Sequence, residues 1–280
     1  MLLDLKTTTQ HKDKMIPDHI LNRKGARSFK DLDPEVINYL NKGLIETANL
    51  MEWLAVDQLK LLKIILDELN KSDWYDNFYE AVSNQKKPSV NSNTKIIGMT
   101  FAQLSYDTAI IEYLTNHTSD VPRCWAAQYY AAIDMSITER LHTIKPYAAD
   151  SHFGVREVAI FSAKDYIIQD LDQAVMILSN WTKDVNENIR RYAVEATRPI
   201  GVWTKKIDIL KEFPEKAMDI LEPLKSDTSK YVKDSVGNWL NDASKTRPDW
   251  VLKICNRWEN DSTTKDTAYI IKKALRTIKK

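Results

Sequence analysis

Asp150-Ser-His-Phe-Gly-Val-Arg156, Asp184-Val-Asn-Glu-Asn-Ile-Arg190 and Asp227-Thr-Ser-Lys-Tyr-Val-Lys233 spell one pattern: Asp, four residues, a β-branched aliphatic and a basic residue. The three starts lie 34 and 43 residues apart, the spacing of a helical repeat. An Asp ahead of a helix can accept that helix's free N–H groups, while the aliphatic enters the core and the basic residue stays at the surface.

That is the signature of a HEAT-type repeat. Each repeat is a helix pair that cannot bury its apolar face alone, so several stack into a solenoid with a concave binding face. The chain has only six glycines among 280 residues and is 43% hydrophobic, with apolar runs at helical spacing. Met51-Glu-Trp-Leu-Ala-Val-Asp-Gln-Leu-Lys-Leu-Leu-Lys-Ile-Ile-Leu66 shows the spacing clearly. These features predict an all-α HEAT-like-repeat α-solenoid.

Working outward, residues 1–30 are polar with scattered charge and read as a loose arm or short helices. Asp33-Pro34 is a good helix start, and helices are expected near 34–48, 50–70 and 73–84, forming an N-terminal helical subdomain over 31–84. Ser83–Thr94 is the best linker. Repeats then run over 95–280, continuing the N-terminal helices as one solenoid. Glu195-Ala-Thr-Arg-Pro199 ends a helix, Gly201 turns the chain, and Val202-Trp203 opens the next segment.

Cys124 and Cys255 lack CxxC spacing, so neither a disulfide framework nor a zinc site is indicated. No run reaches transmembrane length and no secretory leader is visible. The reading is a cytoplasmic monomer, nucleoid-associated if bacterial, with no membrane contact. Net charge is +1, but residues 190–280 hold 20 Lys/Arg against 13 Asp/Glu and residues 1–189 hold 20 against 26. A basic C-terminal third suits a polyanion partner, or is a solvated face of mixed charge. No Ser-His-Asp ordering, phosphate-cradling glycine loop, HExxH or metal-spaced His/Cys cluster occurs, which argues against those hydrolases and against nucleotide enzymes.

The wording is most specific in three phrases. They are Ile189-Arg-Arg-Tyr-Ala-Val-Glu-Ala-Thr-Arg-Pro-Ile-Gly-Val-Trp203, Leu221-Glu-Pro-Leu-Lys-Ser-Asp227 and Tyr231-Val-Lys-Asp-Ser-Val-Gly-Asn-Trp-Leu-Asn-Asp-Ala-Ser-Lys245. They resemble the AlkC/AlkD superfamily of HEAT-like-repeat DNA alkylation repair proteins, closest to its AlkC branch. The resemblance implies a DNA glycosylase that hydrolyses the N-glycosidic bond of cationic N-alkylated bases, such as 3-methyladenine, in duplex DNA held on the concave face. It further implies that the lesion is not flipped into a pocket, and that no metal or organic cofactor is needed.

Such chemistry asks for a carboxylate to offset cation-like sugar character, an aromatic face, and basic groups for the flanking phosphates. The carboxylate expected is Glu157, with Glu195 second; the competing readings are a first-turn helix acid for Glu157 and a pairing with Arg191 or Arg198 for Glu195. Trp125, Trp203 and Trp239 lie near repeat joints and are the candidate lesion contacts, against a core reading for each. Arg156, Arg190, Arg191, Arg198, Lys205, Lys206 and Lys233 are the candidate phosphate contacts. For Arg156, Arg190 and Lys233 the alternative is a ladder to the Asp of the adjacent repeat.

Two departures stand out. The AlkC branch has Ser-Glu-Phe-Ala-(Ile/Val)-Arg where this chain has Ser151-His152-Phe153-Gly154-Val155-Arg156, and the AlkD branch has an Asp four residues after a Trp where Trp125 is followed here by Tyr129. Either the carboxylate has moved to Glu157, or activity is lost. His152 reads as a base, a phosphate ligand or, more commonly for its place, a solvent-facing first-turn residue. Two further functions remain open: a non-catalytic reader of distorted or branched DNA, and a protein–protein scaffold.

Overall fold

The computed structural model describes residues 16–201 and 203–278, so part of the expected N-terminal arm lies outside the described residues. Among the described residues there are α-helices and short 3₁₀ turns and no strand. The N-terminal part holds α1 (Asp18–Leu21), α2 (Pro34–Asn41), α3 (Leu50–Ala55), α4 (Gln58–Glu68) and α5 (Tyr75–Ser83). There follow α6 (Val90–Leu104), α7 (Thr108–Thr115), α8 (Asp120–Ala132), α9 (Ile137–Ala148), α10 (Phe153–Gln169), α11 (Leu171–Trp181) and α12 (Glu187–Ala196). The chain closes with α13 (Asp208–Glu212), α14 (Met218–Leu221), α15 (Lys230–Ala243), α16 (Pro248–Asp261) and α17 (Lys265–Ala274).

Two rows of helices form the solenoid. In one row α6, α8, α10, α12, α15 and α17 pack each on the next, and α7, α9, α11, α14 and α16 cover them as the second layer. One hydrophobic core runs through both, from Leu40 and Leu61 through Trp125, Val158 and Tyr192 to Trp239 and Trp258. This is the all-α HEAT-like-repeat architecture that the repeated pattern predicts.

Local chemistry shifts several boundaries. The helix expected over 34–48 stops at Asn41, because Gly43 takes φ +70 and Leu44 N–H closes back on Tyr39 O at 3.1 Å, a Schellman stop. The helix expected over 50–70 is two, since Val56 is extended and the Asp57 side chain caps α4 at the Lys60 N–H, 3.1 Å. The linker expected over Ser83–Thr94 is shorter, covering 84–89: Ser89 and Ser92 form a capping box that starts α6 at Val90. Trp203 opens no helix, Val202 lies outside the described residues, and α13 begins only at Asp208. In the arm, Arg23 grips Glu52 at 3.0 and 2.6 Å and Ile20 is buried.

The repeat Asp does not cap its helix directly. Asp150, Asp184 and Asp227 each accept the N–H two residues on, at 2.7, 3.0 and 2.8 Å, and the cap proper is His152, Asn186 or Ser229. The aspartate thus shapes the turn before the helix. Its carboxylate is left to receive a basic residue from the preceding repeat: Arg123 meets Asp150 at 3.0 Å, Arg190 meets Asp227 at 2.7 Å, and Lys233 meets Asp266. The same Arg side chains donate back to carbonyls five and six residues upstream, Arg123 to Thr118 and His117, Arg190 to Val185 and Asp184.

Candidate functional site

The ladder misses one rung. Asp184 is met by Lys145 at 2.9 Å, and Arg156, the residue due to reach it, turns elsewhere. Arg156 keeps its bonds to the Asp150 and Ser151 carbonyls, both 2.7 Å, but its guanidinium lies 5.3 Å from the centre of the Tyr231 ring. Arg191 lies over the same ring at 4.3 Å. Two guanidiniums therefore share one aromatic ring contributed by α15, an attraction of roughly 0.5–2 kcal/mol each.

From that stack Arg191 reaches Glu157 on α10, Nη2 to Oε1 at 2.5 Å. Glu157 is 35% exposed, and its Oε2 has no hydrogen-bond partner among the described residues. Burial pulls the Arg191 guanidinium down, but the charges of Glu157 and Glu195 outweigh it and hold the group above its ordinary value. Arg191 is therefore a fixed cation that orients one oxygen of Glu157 and leaves the other open.

Glu157 lies where two hollows meet. A polar one of about 270 Å³ is lined by Glu157, Arg191, Glu195, Arg198 and Asn238. An apolar one of about 380 Å³ lies between α3 and α10, lined by Leu50, Trp53, Leu54, Phe153 and Phe161. Glu157, Phe161 and Trp203 line both. Trp203 is 73% exposed and stands at their common edge on the loop between α12 and α13.

That loop is tied at its base. Ile207 N–H closes on Pro199 O at 3.1 Å, Trp239 donates to Thr197 O at 2.9 Å, and Arg198 is held by Asp242 at 2.7 Å and Glu195 at 3.2 Å. Beneath it the buried Lys164 donates to the carbonyls of Ala196 and Arg198 at 2.9 and 3.4 Å. Burial, with Arg198 adding to it against the pull of Glu195, lowers the Lys164 ammonium to about 7. Gly201 lets the turn close, since a Cβ there would come within 2.1 Å of the Thr204 hydroxyl.

The expected site residues separate into three groups. Glu157, Glu195, Arg191, Arg198 and Trp203 are brought together. Lys205 and Lys206 are exposed on the Trp203 loop, with Lys205 paired to Asp165 at 2.6 Å. The remainder are corrections. Trp125 and Trp239 are 0% exposed, their rings in the core and their indole N–H groups spent on Gln58 and Thr197, so neither offers a face to a ligand. Arg190 and Lys233 follow the ladder alternative, engaged by Asp227 and Asp266, and of the residues brought together Arg191 and Arg198 are spent on carboxylate pairs rather than open to a phosphate. Arg156 is neither laddered to an Asp nor free, being stacked on Tyr231.

His152 is likewise no surface residue. It is buried, its Nε2 donates to Thr47 O at 2.7 Å, its Nδ1 accepts the Gly154 N–H at 3.1 Å, and Asp120 lies 3.3 Å away. With the ring spent on joining α10 to the loop before α3, it cannot serve as an accessible base. Tyr129 is buried, with its hydroxyl 3.4 Å from Ser105 O.

Tyr231, Phe161, Asn238 and Lys164 were not anticipated. Glu157, Phe161 and Lys164 recur at i, i+4 and i+7 on one face of α10, a stripe that mixes charge with an aromatic and was open to notice. Among the described residues no group of three His, Cys, Asp or Glu is placed to hold a metal ion, and no helix is long and apolar enough to cross a membrane.

The comparisons with known proteins bear on family and fold. The family model for "DNA alkylation repair enzyme" matches residues 125–278, which include Glu157, Arg191, Trp203 and Tyr231. The uncharacterized protein YhaZ of Bacillus subtilis (strain 168) is 39% identical over 120 residues, 43% of this chain and only 33% of that protein. In fold the chain is similar to Pseudomonas fluorescens alkylpurine DNA glycosylase AlkC bound to DNA containing an abasic site analog, with TM-score 0.65 and 20% identity, covering 91% of this chain and 66% of that one. It is also similar to AlkD2 from Streptococcus mutans, with TM-score 0.56 and 23% identity, covering 73% of this chain and 97% of that one. At these identities the structural likeness establishes the architecture alone.

Proposed function

The chain belongs to the DNA alkylation repair enzyme family, and from that premise we propose that it is a DNA glycosylase acting on cationic N-alkylated bases, such as 3-methyladenine, in duplex DNA. The observation that carries the reading is Glu157: a carboxylate with one oxygen fixed by Arg191 and the other open, at the meeting point of an aromatic and an arginine-lined hollow.

The chemistry follows from the charges. An alkylated base already carries a positive charge, so it departs with the electron pair of the N-glycosidic bond as a neutral molecule, leaving cation-like character on the sugar. Glu157 offsets that charge, and a water adds at the anomeric carbon while giving its proton to Glu157 or to solvent. The products are the free base and an abasic site. Arg191 acts through Glu157, and Tyr231 acts through Arg191, so both are positioning residues. Glu195 is the weaker candidate for the carboxylate, being nearly buried and committed to Arg198.

Exposed Lys205 and Lys206 are the basic groups proposed to meet the DNA backbone. Duplex DNA treated with a methylating agent, incubated with the protein and assayed by mass spectrometry, is expected to yield free 3-methyl- or 7-methylpurines. Salt-sensitive duplex binding with no base released would instead identify a non-catalytic reader of DNA.

A further inference from the structure

We propose that a third hollow, between the second-layer helices α7 and α9 at the end of α8, is a binding site for a small organic cation that carries a quaternary ammonium group of the choline type. The hollow holds about 450 Å³, within the range of small-molecule sites. It shares no lining residue with the two hollows that meet at Glu157, and its occupant is independent of the glycosylase reading.

Its lining has the charge pattern of a cation site. Tyr106, Tyr129, Tyr130 and Tyr147 line it together with Glu112, and among the described residues no lysine, arginine or histidine does. The Glu112 carboxylate is exposed and has no hydrogen-bond or salt-bridge partner among the described residues. An anion would find no cationic group in this lining, whereas an ammonium is attracted both by the ring faces and by the carboxylate. Arg140 donates to the Tyr130 and Ile133 carbonyls, but it is buried, stacked at 3.4 Å on the Tyr166 ring and within reach of the Asp134 charge, and it is not part of the lining.

The rings stand as walls rather than as a stack. Tyr129 and Tyr130 meet at 87° with centroids 5.3 Å apart, and Tyr130 and Tyr147 at 58° and 6.1 Å, so their faces turn in different directions. Faces at such angles meet a compact cation from several sides. The inner rings are held before any ligand arrives: Tyr129 and Tyr147 are buried, and the Tyr147 hydroxyl shares a hydrogen bond with Thr115 at 2.6 Å. Tyr106 is the exception. It is 78% exposed on the segment between α6 and α7, and among the described residues its side chain makes no hydrogen bond and no ring contact. An unspent tyrosine at the rim of a tyrosine-lined hollow is positioned to complete the enclosure around a cation.

Choline and its neutral isostere 3,3-dimethylbutan-1-ol, alike in shape and different in charge, separate a cation site from a merely apolar one. Each is titrated into the full chain and its affinity read by calorimetry or by saturation-transfer NMR. Choline is expected to bind saturably and about 10-fold or more tightly than the isostere. Tyr106→Ala is expected to weaken choline about fivefold or more, and Tyr106→Phe, which keeps the ring face, to stay within about twofold of the unaltered protein. Glu112→Gln is expected to weaken choline about threefold or more and to leave the isostere unchanged. Both positions are exposed, so these variants are expected to melt as the unaltered protein does. Should one melt lower, the ratio of choline to isostere on the unaltered protein still decides. Glu157→Gln controls for the aromatic hollow at α3 and is expected to leave choline affinity unchanged. Choline that does not bind saturably, or binds no better than its isostere, overturns the site. So does choline affinity lost in Glu157→Gln and kept in Tyr106→Ala, which would place the cation at Glu157 instead.

Discussion

The joints of this solenoid and its candidate site are built from the same spelling and differ in where one side chain goes. At the joints after α8, α12 and α15, a basic residue reaches the Asp of the following repeat and is consumed by structure. At α10 the equivalent Arg156 is diverted to Tyr231, Lys145 takes over its Asp184, and the space in front of α10 holds the Glu157–Arg191 pair and both hollows. A repeat array is locally interchangeable only while its contacts repeat. Function is to be sought where the repetition fails, because there side chains are relieved of holding neighbours together.

Breaking the regular joint has the largest expected effect on the fold. Arg190→Met leaves Asp227 buried without its partner and is expected to lower stability by about 3 kcal/mol, whereas Arg156→Met costs within about 1 kcal/mol. Urea midpoints of the two variants check this; equal losses would erase the distinction between joint and site. Arg191→Met is expected to slow base release by about 10-fold or more while leaving duplex affinity nearly unchanged, with Arg191→Lys intermediate, because a point charge replaces a fork. A loss confined to affinity would reassign Arg191 to phosphate binding.

The buried lysine beneath the site sharpens the comparison through pH. Its ammonium is lowered to about 7, so between pH 7 and the ordinary lysine value the unfolded chain binds more protons than the folded one. Stability from this group therefore rises as pH increases through that window, and its penalty is complete below it. Relative to Lys164→Met, the unaltered protein is expected to gain stability from pH 7 to 9, by at most about 1.4 kcal/mol per pH unit. Denaturation midpoints of the pair across that range decide it, a constant difference refuting the shift. The smallest effect belongs to the loop: Lys205→Ala with Lys206→Ala should weaken duplex binding a few-fold and reduce the salt slope by roughly 1–2. An unchanged slope in a binding titration would remove this loop from the DNA interface.

What could be read in the sequence was whatever repeats. The Asp-to-basic spelling announced the solenoid, and Glu157 and Arg191 stand 34 residues apart, the spacing of the first two repeat starts. The diversion of Arg156 was hidden because its partner Tyr231 lies 75 residues on, two repeats away, where no periodic rule reaches. The break at Val56-Asp57 was masked by an apolar rhythm that continues across it, although Asp57 is a legible cap and Gly43 a legible stop. Trp125 and Trp239 were ambiguous because position near a joint does not reveal which side of a two-layer helix row a ring faces. Trp203 differs from them only in standing on a loop, after Pro199 and Gly201.

The account rests on Glu157 as the carboxylate that meets the sugar. Single-turnover release of 3-methyladenine at protein concentrations saturating the duplex, compared between the unaltered protein, Glu157→Gln and Glu195→Gln, tests it most directly. The account predicts a fall on the order of 10²–10⁴-fold for Glu157→Gln, with DNA affinity retained and Glu195→Gln within about 10-fold of the unaltered rate. A Glu157→Gln protein that releases base within about threefold of the unaltered rate would contradict it.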